Sequence, residues 1–146
     1  MKYLSTFESY VDIDKKEFEV YRGADHKEGD YGNYFSMSKD FSEDYGDVIY
    51  QATLRPNKIF DTLDERNWKI IFEAAGGEIY SPYYDKTYYD LNEFLDTSWS
   101  SDTWDIIEHY THLIPSDYDC LLITEGGVVN FLVLDRSILH DLKILE

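Results

Sequence analysis

The chain has 146 residues, 43% hydrophobic and 17% aromatic, which is enough for one packed domain over residues 1–146 and too little for two. Its 13 Lys and Arg against 30 Asp and Glu give a formal charge of −17. That balance argues against direct contact with nucleic acid or an anionic membrane, because phosphate binding needs cations to release counterions; it suits either a basic protein surface as partner or, on charge alone the more common case, a solvated acidic face. The single Cys120 has no disulfide partner and no zinc-spaced neighbour, so we expect no metal and a reducing, cytoplasmic setting. The start lacks the long apolar core of a signal peptide, and no later run is apolar enough to span a bilayer.

In chain order, residues 1–16 read as a short helix or an irregular lead-in. FEVYRG and NYFSM read as strands, and Ser38 is placed to cap a short helix that Gly46 ends. DVIYQATL, β-branched and aromatic, predicts a third strand, and KIFD a short fourth. Thr62-Leu-Asp-Glu65 has the pattern of a capping box. Behind it Trp68, Ile71, Phe72 and Ala75 recur at helical spacing until Gly76-Gly77 stops the helix. The tyrosine-rich EIYSPYYDKTYYD reads as a surface loop or crossover, open to target recognition but read here as packing. DLNEFLD predicts a short helix, and SDTWDIIEHYTHLI a stronger one capped by Ser101 or Asp102 and ended by Pro115. DCLLIT, a Glu-Gly-Gly turn and VVNFLVL form a hairpin, and a last strand follows near ILHDLKIL. Strands early, helices between and strands late make a mixed α+β domain.

Three polar positions stand out against this pattern. Strand alternation puts Arg22 on the face of Phe18 and Val20. There it is either an edge arginine whose stem covers apolar surface or a guanidinium at a cleft floor, set to bind phosphate or carboxylate. Tyr34, Ser36 and Ser38 share one strand face and Phe35 and Met37 the other. The serines are either ligand-facing hydroxyls or, for Ser38, a helix cap. Asn130 lies on the face of Val128, Leu132 and Leu134 in an otherwise apolar strand, with Glu125 nearby in the turn. Its amide is satisfied by neighbouring backbone or lines a polar cleft. The histidines offer no convincing metal pattern, and no P-loop, GxGxxG, HExxH or GxSxG run occurs.

The order of these features, aromatic-Arg-Gly strand, aromatic-Ser-x-Ser strand running into a helix, then a late acidic or amide strand position, resembles the arginine–serine–glutamate branch of the ADP-ribosyltransferase fold. SDYDCLLITEGGVVNFLVLDRSIL is similar to the closing hairpin of small phage and bacterial members. Among these are anti-CRISPR mono-ADP-ribosyltransferases, which modify a host complex. The two matched regions, 18–61 and 116–144, frame helices inserted between the early and late strands. The resemblance implies a transferase that moves ADP-ribose from NAD to a protein target in the host cytoplasm. It assigns NAD binding to Arg22 with Gly23, to Tyr34 and Phe35 as packing for the nicotinamide ring, and to Ser36 and Ser38. It places the carboxylate that steadies the ribosyl cation at or near Asn130, an amide, so that either Glu125, the nearest carboxylate, takes the role or the activity depends on something else.

A descendant without catalysis is the alternative. In it the acidic surface blocks a basic, nucleic-acid-binding groove on a partner.

Overall fold

The computed structural model describes residues 15–24, 33–97 and 102–145. The expected lead-in over 1–16, His26 and the Ser101 cap lie wholly or largely outside them. In the described residues a large, mostly antiparallel sheet is accompanied by a few short helices, so the mixed α+β class holds.

Among the described residues nine strands form: β1 Phe18–Ala24, β2 Tyr34–Ser36, β3 Val48–Leu54, β4 Ile59–Asp61, β5 Ile79–Ser81, β6 Lys86–Tyr88, β7 Cys120–Glu125, β8 Val128–Val133 and β9 Leu139–Leu145. Seven of them make one sheet in the order β4-β7-β8-β2-β1-β3-β9, and β5 and β6 pair separately. Only β4 and β7 run parallel; the other neighbours are antiparallel. β1 matches β3 from Phe18↔Leu54 to Ala24↔Val48, yet it meets β2 at one register pair, Tyr21↔Ser36. The sheet is therefore two halves joined by a narrow seam.

Its two faces carry separate cores. Phe18, Val20, Phe35, Leu54, Phe131 and Val133 belong to a cluster drawn from the strands with Leu63 and Ile138, and no α-helical residue enters it. Phe18 and Phe131 pack there with ring centroids 5.0 Å apart. On the other face Leu121 and Ile123 meet Trp68 and Ile71 of α2 (Glu65–Ala74), Phe94 of α3 (Leu91–Thr97) and Ile106 and Ile107 of α4 (Trp104–Ile107). Burying each such side chain stabilises the fold by about 1.5–3 kcal/mol.

Several sequence expectations are corrected. Asp64, not Thr62, caps α2, its carboxylate accepting the Arg66 N–H. Thr62 has gone inward. Its hydroxyl donates to the Leu122 carbonyl at 2.7 Å and sits 2.6 Å from the Thr103 hydroxyl. Thr103 and Thr124 exchange backbone N–H to hydroxyl bonds of 3.0 Å each way. These buried hydroxyls answer one another, so polar side chains are tolerated inside. The tyrosine-rich segment is the β5–β6 hairpin rather than a loop. The long helix expected over 101–114 is only α4 and a 3-10 turn, Thr111–Leu113. Gly76 and Gly77 end α2 at φ 81° and 86°, as their position implied.

The first short helix, α1 (Lys39–Glu43), is capped by Ser38, whose Oγ accepts the Phe41 N–H at 3.1 Å. It lies close on β1. A Cβ at Gly23 would come within 1.8 Å of the Ser42 carbonyl oxygen, so glycine there lets backbone meet backbone.

Candidate functional site: a tyrosine–carboxylate end

Register decides which of the expected site residues meet. Ser36 pairs with Asn130 and Tyr34 with Leu132, and Ile123 is opposite Asn130, so Tyr34, Ser36, Asn130 and Glu125 share the helix-covered face. Arg22 pairs with Tyr50 one residue out of phase with Ser36 and therefore faces the other way. Phe35 also faces away, fully buried beside Phe131. Gly23 underlies α1, and Ser38 caps it.

Arg22 has a structural task at the seam. Its Nη1 donates to the Tyr34 carbonyl at 3.0 Å, tying β1 to β2 where their ladder supplies a single pair. The arginine on an apolar strand face is thus a stitch between half-sheets. Ser36 is 2% exposed and its Oγ accepts the Ser38 N–H at 3.0 Å.

At the end of β7 the remaining polar groups converge. The Tyr34 hydroxyl donates to Glu125 Oε2 and accepts from Asn130 Nδ2 at 3.1 Å. The Tyr45 hydroxyl donates to the other Glu125 oxygen at 3.3 Å. Asn130 is fully buried, and its position behind Tyr34 sets where that hydroxyl sits. Trp104 braces the Tyr34 ring edge-on, centroids 5.6 Å apart.

The cluster continues outward. The Tyr83 phenol lies beside Asp105 and Asp102, and the Gly126 N–H faces Asp102. Burial, then the bond to Glu125, raises the Tyr34 phenol well above its usual range. Burial and then Asp105 and Asp102 raise Tyr83 likewise. The phenols therefore stay protonated donors near neutral pH. Asp102 is pushed above the ordinary carboxylate range, first by burial, with nearby Asp105 and Glu125 adding to it.

Glu125, held by two phenols, keeps further acceptor lone pairs, so it can pair with a guanidinium or ammonium. The same arrangement gives Glu125 a fixed position. Tyr45 at 52% and Tyr83 at 49% exposure present aromatic edges beside the charges. Among the described residues no group of three or more His, Cys, Asp and Glu is placed to hold a metal, and no helix is long and apolar enough to cross a membrane.

Tyr45, Tyr83, Asp102, Asp105 and Trp104 escaped sequence reasoning. They come from three separate segments, around residue 45, around residue 83 and at 102–105, and no periodicity links the three. The one available signal was the tyrosine content of residues 80–89, read as packing; Tyr88 does pack, whereas Tyr83, Tyr84 and Tyr89 are exposed.

No family model matches the chain, and no curated protein matches it. A solved structure of an anti-CRISPR protein superposes on it with a TM-score of 0.51 at 11% identity, over 88% of this chain and 96% of that one. At that identity the likeness concerns the fold. Nothing in these comparisons speaks for an ADP-ribosyltransferase.

Proposed function

We propose that this protein is a phage-type inhibitor of a host defence complex that acts by occupying a basic surface of a protein partner. The observation that carries the reading is the tyrosine–carboxylate end. Exposed edges of Tyr45 and Tyr83 lie beside Asp102, Asp105 and a Glu125 carboxylate that two phenols orient, in a chain of net charge −17. Tyrosine supplies large contact area at low entropic cost, and oriented carboxylates pair with Arg and Lys. Such a surface resembles in charge the nucleic acid that a defence complex must bind. The fold likeness to an anti-CRISPR protein supports the inhibitor class.

A second reading is favoured by one feature. Glu125 is a carboxylate fixed by two phenols, on the same sheet face as Ser36 and Asn130. A fixed anion beside hydroxyls suits stabilisation of a ribosyl cation, and hence transfer of ADP-ribose from NAD to the partner. Arg22 and Phe35, which that chemistry would use, face away from Ser36, and for this reason the reading stands second.

The test is plating of a targeted phage on cells with active CRISPR interference. Expression of the protein restores plaques, and Tyr45→Ala with Tyr83→Ala abolishes the protection. Protection that survives the double substitution removes the site from the account. Glu125→Gln separates the readings: labelled NAD transfers to a host protein and stops with this variant only if the second holds.

A further inference from the structure

The opposite end of β7 has a different electrostatic character. There Lys15, Lys16, Arg55 and Lys58 border a hollow of about 660 Å³, with Asp61 and Tyr118 also in its wall. Four of the chain's 13 basic residues thus surround one cavity in a molecule of net charge −17. The 120–125 span of β7, about 17 Å at the rise of a strand, separates it from the tyrosine–carboxylate end.

The charges there are unevenly engaged. Lys58 pairs with Asp117, and its Nζ lies 4.4 Å from the centre of the Tyr118 ring. Asp64, also on the rim, is held by Arg66 at 2.7 Å. Among the described residues, Lys15, Lys16 and Arg55 have no carboxylate within ion-pair distance. Asp61 is 6% exposed, with Oδ1 accepting the Leu63 N–H at 2.8 Å. Burial pushes its carboxyl up to about 6, so part of its opposing charge is removed just below neutral pH.

We infer that this hollow binds a small phosphorylated molecule of nucleotide size, its phosphates among Lys15, Lys16, Arg55 and Lys58 and a planar group along Tyr118. The volume lies within the roughly 300–1,000 Å³ of small-molecule sites. Size follows from screening. A ligand contained in the hollow lies within a Debye length, about 8 Å, of its cations, whereas a polynucleotide running out of it meets an acidic surface. The inference is independent of the function proposed for the other end.

Calorimetric titration of the whole chain with ADP, inorganic phosphate, adenosine and a short single-stranded oligonucleotide tests it. ADP binds more tightly than adenosine, and inorganic phosphate competes with it. Arg55→Glu weakens ADP by about tenfold or more, the loss of a charge-assisted contact. Lys16→Glu, at an exposed position, makes the same test should Arg55→Glu fail to fold. Lys69→Glu, an equal charge change on the exposed side of α2, leaves ADP binding as it was, and Asp61→Asn tightens it. Absence of ADP binding overturns the inference. So do adenosine binding as well as ADP, indifference of folded Arg55→Glu and Lys16→Glu chains, and an oligonucleotide that binds more tightly than ADP.

Discussion

Asp61 is a carboxylate carried into nearly dry surroundings at the end of β4. Its carboxyl is pushed up to about 6, chiefly by burial, against the help of the Leu63 N–H, with Asp64 adding a little. Unfolded, it titrates near about 3.9. Between about pH 4 and pH 6 the folded chain keeps a proton that the unfolded chain has released, so Asp61's contribution to stability falls as pH rises and levels off above 6. At neutral pH the ionised group costs on the order of 3 kcal/mol. Asp61→Asn therefore raises the unfolding midpoint at pH 7.5, and the gap to the parent chain closes toward pH 3.5. Denaturant titrations at the two pH values check this; equal gaps at both contradict it. Asn130 shows the other outcome for a buried polar group. The sequence marked it as an amide in need of partners, and it found one in Tyr34, 96 residues away in the chain.

Elements divide into those whose signals are local and those whose signals are not. β1, β3, β7 and β8 were legible because alternation and β-branching persist over six or seven residues. The Ser38 cap and the Gly76-Gly77 stop were legible because each meets a purely local backbone need. The Thr62 capping box misled because its hydroxyl had stronger partners in Leu122 and Thr103, and no window around residue 62 contains either. The 101–114 segment has helical periodicity, but Thr103 bonds to β7 through Thr124 and the chain turns after Ile107. Tertiary hydrogen bonds overrode propensity in both cases. The close contact of α1 on β1 gives the sharpest prediction at this scale. Gly23→Ala places a methyl against the Ser42 carbonyl and lowers stability by about 1–3 kcal/mol or more, read by urea unfolding. An unchanged midpoint would mean that α1 does not rest on β1 as described.

For the molecule as a whole, charge was readable at once, but its distribution was not. A net charge of −17 gives no hint that basic residues gather at one end of β7 while oriented carboxylates and phenols gather at the other. Nor could the order of motifs reveal the phase of Arg22 against Ser36, which rests on one register pair at the seam. A shift of one residue there would have put both side chains on one face. The central claim is that the acidic, tyrosine-edged end docks on a basic protein surface. Its most direct test is the affinity for a purified effector complex of the kind the proposed inhibition requires, measured across ionic strength for the parent chain and for Asp102→Asn with Glu125→Gln. The parent affinity falls by about tenfold as ionic strength rises from about 0.05 M to about 0.5 M, with weaker binding and a shallower slope for the variant. Equal slopes for the two, or an affinity indifferent to salt, would contradict it.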